Sequence, residues 1–304
     1  MPRIIVIGGG FAGVALVKRL AGRQPSGWET LLISEESYTT YNPMLAEVVG
    51  ASVFPEHVVA PLRQVMGSTA TQRFVMGMVT ALDVAARRLA CMTLAGERHF
   101  EWDHLVLAHG NRARLDLVPG MAEHALPLKT VGDALHIRNV VLRRLARMEL
   151  EPDMEQRRRL GHFVVIGGGF SGVEVAGALA DALRSVHRYY HRVDRAELRV
   201  TIVQNLPRLL PELPERLGQA AHRMLEAHGV QVRLGATAAA LDADGIALQD
   251  GTRIDTRSAI ATIGTRPNAL SIAAGLPLER GRIRVDPATP WSGIHTPAGG
   301  APVW

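Results

Sequence analysis

Apolar positions along the 304-residue chain fall into two blocks that repeat one order of elements. Arg3 to Ile7 form a short, almost unbroken apolar run, the mark of a strand buried on both faces. A glycine-rich turn follows, then apolar positions at helical spacing through Leu20, then a second apolar strand near Thr30 to Ser34 that runs into Glu35 and Glu36. This order predicts a βαβ unit. From Arg73 to Phe100 the pattern changes to alternation around an Ala95-Gly96 turn, which predicts antiparallel strands, and HLVLAHG closes the block as a buried strand ending in glycine.

The second block starts at His162 and repeats the plan: strand, glycine turn, helix, and a second strand, LRVTIVQ. Turn signals at Asp244-Gly245 and Asp250-Gly251 predict a hairpin region, and SAIATIG is again a small-residue strand ending in glycine. Between the blocks, Leu135, Ile137, Val141, Leu142 and Leu145 fit one helical face, predicting a connecting helix packed on the second block.

The two turns read Gly8-x-Gly10-x-x-Gly13 and Gly167-x-Gly169-x-x-Gly172, with Phe11 and Ala12, and Phe170 and Ser171, between the second and third glycines. In such a turn the first glycine allows the tight bend, the second lets phosphates approach the backbone, and the third lets helix and strand pack closely. Helix N–H groups and the positive helix end then favour a pyrophosphate. Each turn follows a predicted strand and opens a predicted helix. The fold class is therefore α/β, with two Rossmann-like dinucleotide-binding domains, each a parallel sheet plus an antiparallel β-meander. The expected boundaries are 1–118, 119–270 and a C-terminal part, 271–304, that returns to the first domain. A ribose hydroxyl calls for an acceptor at the end of the second strand, where Glu35 stands in the first block and neutral Gln204 in the second. Glutamine does not repel a 2′-phosphate, which leaves NADH and NADPH both open.

Composition narrows the class. Hydrophobic residues make up 47% and charged residues 21%, ordinary for a globular chain of two cored domains. No uncharged apolar run reaches the roughly 18 to 20 residues of a membrane span. The net charge of +5 comes with no basic stretch interleaved with aromatics, which argues against nucleic acid. Arg157, Arg158 and Arg159 read as a solvated helix end. His187 and His191 read as surface residues, and no metal site is expected. The single cysteine, Cys91, excludes a redox-active cysteine pair.

The ordered motifs IGGGFAG, YTTYNPML, HLVLAHGN, VVIGGGFSGVE and IATIGTRPN resemble those of flavoproteins with two dinucleotide-binding domains, above all the type II NADH:quinone oxidoreductases. That resemblance covers roughly residues 1 to 285. It implies FAD on the first turn, with Gly8, Gly10 and Gly13 at its pyrophosphate and Ser34 or Glu35 at its adenosine ribose. Pro43 and Met44 match a loop near the flavin. Ala108 to Gly110 match a segment that usually ends Ala-Thr-Gly, from which His109 departs. The resemblance further implies NADH or NADPH on Gly167, Gly169 and Gly172. Glu174 matches a glutamate facing nicotinamide and flavin, and Gly264 and Arg266 match the strand end leading back to the first domain. The implied activity passes hydride from NAD(P)H to flavin and electrons on to a quinone, in a cytoplasmic enzyme or one peripheral at the cytoplasmic membrane face. A homo-oligomer stays open.

The C-terminal stretch PATPWSGIHTPAGGAPVW carries neither the Gly-Asp motif nor the amphipathic membrane helices of those relatives. Two alternatives follow: a truncated, catalytically silent fragment that still binds NAD(P), and a reductase of the ferredoxin type, which shares the architecture and also lacks the cysteine pair.

Overall fold

The structure is a computed structural model and describes residues 1–67, 69–273, 275–279 and 282–285. The chain divides into two compact units.

The first unit holds Met1–Thr40, Val59–Arg112 and the chain from Arg266 onward. Strand β1 (Arg3–Ile7) leads through the glycine turn into helix α1 (Phe11–Leu20) and strand β2 (Glu29–Ser34). The meander follows as β3 (Gln72–Asp83), β4 (Arg88–Thr93) and β5 (Gly96–Glu101), and β6 (His104–Leu107) completes the set. They form one six-stranded sheet in the order β5-β4-β3-β2-β1-β6. The first residues of β3 pair parallel with β2 from Thr30↔Gln72 to Ser34↔Met76, and the rest of β3 turns to pair antiparallel with β4. Parallel and meander parts are thus one continuous sheet here. The core on one side joins Ile5, Ile7, Leu31, Ile33, Leu89, Cys91 and Leu105, and Leu270 of the short helix Ala269–Ala273 packs into it. Cys91 lies buried in the meander.

The second unit holds Tyr41–Val58 and Ala113–Thr265. Its elements are β7 (Ala125–Pro127), α2 (Val131–Met148), β8 (His162–Ile166), α3 (Phe170–Val186), β9 (Arg199–Val203), α4 (Glu215–Ala227), β10 (Val230–Arg233), the meander β11 (Ala238–Asp242), β12 (Gly245–Leu248) and β13 (Arg253–Asp255), and β14 (Ser258–Ala261). Five strands form a parallel sheet in the order β7-β14-β8-β9-β10, while the meander is a separate three-stranded sheet. Every residue of β8 is buried, as expected of a central parallel strand. Helix α2 is the connecting helix, and it lays Val131, Ala134, Ile137, Val141, Leu145 and Met148 inward. A capping box starts it: Thr130 accepts from Asp133 N, and Asp133 accepts from Thr130 N.

The two α/β units with meanders agree with the expected fold class, but the chain is divided differently. Residues 41–58, carrying the helix Leu45–Val49, and residues 113–118 belong to the second unit, and the return to the first begins at Arg266 rather than 271. Helix Leu45–Val49 packs on α2 and α3, contacts that local pattern cannot reveal. The expected tail beyond Val285 lies outside the described residues.

The arginine run is also corrected. Arg157 is buried, its guanidinium bound bidentately to Glu197 at 2.7 and 2.6 Å and donating to the carbonyls of Met148 and Arg192. Glu197 comes from a turn 40 residues away, so the partner that draws Arg157 inward is invisible in the run itself.

Candidate functional site

The two glycine turns are built alike. Gly8 and Gly167 have φ of +110° and +114°, and each donates its N–H at 2.8 Å to a carbonyl near the end of the neighbouring strand, Ile33 in β2 and Val203 in β9. A side chain at Gly8 would strike the Ala108 carbonyl, and one at Gly167 the Ile263 side chain. Gly13 and Gly172 press against the carbonyls of Gly8 and Gly167, leaving no room for a Cβ where helix meets strand.

Gly10 and Gly169 differ from these. They are the N-caps of α1 and α3, with φ, ψ of −78°, −168° and −77°, −171°, a conformation open to any residue. A Cβ at either would meet no atom within 4 Å. Neither backbone strain nor internal packing calls for glycine at these positions. The missing side chain instead leaves space above a helix N-terminus that no side chain caps. Such a cradle suits an anionic group that approaches the backbone closely, so the residues fit a dinucleotide pyrophosphate on each turn.

Strand register separates the two ribose candidates. Ile7 pairs with Ile33 and Ile166 with Val203, so Ser34 and Gln204 take equivalent places in the two units. Ser34 Oγ lies 2.9 Å from where a Gly9 Cβ would stand, beside the turn. Glu35 is one position further on and pairs with Arg112. Gln204 is buried, its Oε1 accepting from Gly168 N at 3.1 Å and its Nε2 donating to the Arg208 carbonyl at 3.3 Å. Both ends of the amide thus brace the turn, and each keeps one further hydrogen-bonding position.

Three of the expected site residues of the second unit, Ser171, Glu174 and Gly264, meet at one cavity of about 150 Å³, while Gly167, Gly169, Phe170, Gly172, Gln204 and Pro43 do not line it. Ser171 and Glu174 of α3 and Gly264 line it together with Asn42, Leu45, Ala46, Lys129 and the strand end from Ala261 to Thr265. Gly264 has φ +67° and accepts from Arg114 N. Burial pushes the Glu174 carboxyl above the usual carboxylate range, and the charge of Glu47 adds to the effect. Pro43 lies exposed in the turn Asn42–Met44 that enters the helix Leu45–Val49.

In the first unit, Ala108 and His109 back the Gly8 turn and Gly110 takes φ +63°. His109 Nδ1 donates to the Gly110 carbonyl at 3.1 Å, and its Nε2 is bonded to the buried Ser271 hydroxyl at 3.0 Å. Burial holds this imidazole below its ordinary pKa. Sequence reasoning missed Lys129, Glu47 and Ser271. Nothing in the local sequence marks the contacts these three residues make.

Two α/β units, each opening on a ligand-ready glycine turn, define a two-dinucleotide-binding oxidoreductase fold. The chain belongs to the pyridine nucleotide-disulphide oxidoreductase family, whose family model matches residues 2–292. It is 28% identical over 291 residues to the type II NADH:quinone oxidoreductase Ndh of Mycobacterium tuberculosis, covering 94% of this chain and 62% of that protein. It is likewise 28% identical to the mitochondrial internal alternative NAD(P)H-ubiquinone oxidoreductase A1 of Solanum tuberosum, covering 94% of this chain and 59% of that one. The chain thus spans about 60% of the length of these relatives. Among solved structures, NDH2 from Plasmodium falciparum in complex with NADH superposes with a TM-score of 0.84 at 19% identity, covering 90% of this chain and 57% of that one. A ferredoxin reductase from Rhodopseudomonas palustris does so with a TM-score of 0.69 at 23% identity, covering 92% and 63%. At these identities the structural likeness speaks for the fold.

Among the described residues, no helix is long and apolar enough to cross a membrane, and no cluster of three or more His, Cys, Asp or Glu is placed to hold a metal.

Proposed function

We propose that the chain is an FAD-dependent NAD(P)H oxidoreductase that delivers electrons to a quinone-like acceptor. The observation that carries this reading is the pair of glycines, Gly10 and Gly169, whose missing side chains serve nothing inside the protein. The relatives named NADH:quinone and NAD(P)H-ubiquinone oxidoreductases supply the reaction class and the acceptor.

FAD would lie on the first turn, held by Gly8, Gly10, Phe11, Ala12 and Gly13, with Ser34 or Glu35 at its ribose and Ala108 and Gly110 beneath. When bound, it supplies a two-electron acceptor that can pass electrons on singly or in pairs. NADH or NADPH would lie on Gly167, Gly169, Phe170, Ser171 and Gly172. There the helix N-terminus holds the phosphates, while Gln204 keeps the turn in shape from behind. Glu174 lines the second unit's cavity, where partial desolvation and then the charge of Glu47 raise its carboxyl above the usual carboxylate range. No residue of the chain needs to form a covalent bond.

The test is an absorbance spectrum after incubation with excess FAD and removal of the free cofactor, followed by anaerobic NADH and, separately, NADPH. The expected result is a retained flavin band that bleaches with the nicotinamide donor and recovers with a quinone. Gly10→Val and Gly169→Val sharpen the test. The backbone of both sites admits valine and a Cβ there meets no neighbour, so each variant is expected to keep its fold, which its melting temperature checks. Gly10→Val should lose flavin, and Gly169→Val should keep the band but lose bleaching, each with at least about tenfold weaker binding. A colourless wild-type protein that still binds NADH would overturn the flavoprotein reading and leave nucleotide binding by the second unit alone.

A further inference from the structure

The second unit carries another cavity, of about 570 Å³, and none of its lining residues belongs to the glycine turn. Arg199, the first residue of β9, lines it, and Arg157 and Glu197 line it from the segments that lead into β8 and β9. These two strands run parallel from this edge to the opposite one, where Ile166 enters the Gly167 turn and Gln204 braces Gly168. The cavity therefore lies at the amino ends of the strands. An open α/β sheet takes its nucleotide at the carboxyl ends, so this is a different place.

Four arginines line the cavity: Arg157 and Arg158 of the helix Met154–Leu160, Arg192, and Arg199. The buried Arg157 is already engaged, since it holds both oxygens of Glu197 and the carbonyls of Met148 and Arg192. The other three guanidinium groups are more exposed, and among the described residues none of them forms an ion pair or a side-chain hydrogen bond. The acids of the cavity do not compensate them. Glu197 is taken by Arg157, Glu151 pairs with Arg147 at 3.3 Å, and Asp194 accepts from Ala196 N. Three unpaired guanidinium groups thus stand against the carboxylate of Asp194. The backbone beneath them is fixed: Arg192 donates its N–H to Glu149 at 3.1 Å and gives its carbonyl to Arg157, and reciprocal capping bonds lock Asp194 to Glu197. Like charges gathered on a fixed frame repel one another, and a bound anion relieves that repulsion.

We propose that this cavity is a binding site for a phosphate group of two or more negative charges, held by Arg158, Arg192 and Arg199 on the frame that Arg157 and Glu197 set. A guanidinium presents paired N–H donors that match two phosphate oxygens, and it keeps its charge at every physiological pH. The cavity is larger than a phosphate ion, and Pro152, Met154 and Ala196 give it an apolar side for the rest of a larger molecule. The shared chemistry is the phosphate, and it has two sources: a free phosphorylated small molecule or the headgroup of an anionic lipid. The site goes beyond the proposed electron transfer and does not depend on it.

Two probes test the full chain. Pyrophosphate, titrated calorimetrically at an ionic strength held constant with NaCl, stands for the free source, and sedimentation with phosphatidylcholine vesicles, with and without phosphatidic acid, stands for the lipid. Binding should weaken at least about tenfold in Arg192→Gln and in Arg199→Gln. It should be unchanged in Arg223→Gln, which removes an exposed charge of α4 outside the cavity. Neither Arg192 nor Arg199 lends its guanidinium to the fold, and melting temperatures check that the variants stay folded. Pyrophosphate also resembles the centre of a dinucleotide, so Gly10→Val and Gly169→Val are titrated beside these and should keep the cavity's pyrophosphate. Response of pyrophosphate alone names a free phosphorylated molecule, response of phosphatidic acid alone a lipid headgroup, and response of both a phosphate site open to either. Binding lost in Gly10→Val or Gly169→Val but kept in the two arginine variants would overturn the site, as would equal weakening in Arg223→Gln or no binding of either probe. Neither probe needs flavin or NAD(P)H, so failure of the flavoprotein reading leaves this result standing.

Discussion

His162 opens β8 and is almost fully buried, its Nδ1 donating to the Asp255 carbonyl at 2.8 Å and its Nε2 2.8 Å from the Thr201 hydroxyl. A carbonyl can only accept, so Nδ1 carries the proton, and Nε2 accepts from the Thr201 hydroxyl, which stands nearer to it than to its other partner, Gln231 Oε1, at 3.3 Å. Burial, with the nearby charge of Arg199, pulls its pKa from the ordinary 6.5 down to about 4. The unfolded chain therefore takes up a proton below pH 6.5 that the folded chain refuses. The associated stability is whole above pH 6.5 and is lost as pH falls from there toward 4, amounting to about 3 kcal/mol. Urea melts at pH 7.5, 5.5 and 4.5 should show this decline, and His162→Gln should flatten it; equal slopes in the two proteins would contradict the assignment. Such a histidine cannot be recognised in the run HFVVI, because its two partners come from β9 and from the end of the meander.

Among the elements, α2 depends most on a local device. Its mean hydropathy is low, yet every third or fourth residue is buried, and the capping box of Thr130 and Asp133 sets its start. Asp133 also receives the Lys129 N–H, so the same cap fixes the chain at the lysine that lines the cavity. Thr130→Ala should cost about 1 kcal/mol of stability, and Asp133→Ala a similar amount, measured by thermal or urea unfolding. The α3 start is the reverse case: its N-cap is a glycine with no side-chain bond, left open for a ligand at some expense to the helix. The apolar face of α2 was legible from Leu145, Ile137 and Val141, and the antiparallel meanders from alternation and turn residues. The helix Leu45–Val49 was not read as a helix, since five residues hold too little periodicity to register.

Across the whole molecule, two units carry separate cores and separate glycine turns, so each ligand should protect its own unit. In hydrogen exchange, FAD is expected to slow amides around Gly8 to Gly13 and Ala108 to Gly110, and NADH those around Gly167 to Gly172 and Ser171 to Val175. Protection by NADH confined to the first unit would reverse the proposed assignment of the turns. The internal repeat is closest where physics leaves least choice: both turns share the same φ at the first glycine, the same N–H to carbonyl bond and the same open N-cap. The units differ where packing allows it, with the meander fused to the parallel sheet in the first and separate in the second.

From residue types and spacing alone follow the two βαβ openings, the role of each glycine, the exclusion of a cysteine redox pair and the α/β class, because each rests on backbone geometry within a few residues. What only the tertiary structure decided are pairings across long stretches of chain: residues 41–58 joining the second unit, the Gln204 amide bracing the turn, and Arg157 drawn inward by Glu197. A side chain's partners depend on which strands and helices lie beside it, and that arrangement is fixed by the packing of the whole core rather than by the residues next to it in sequence.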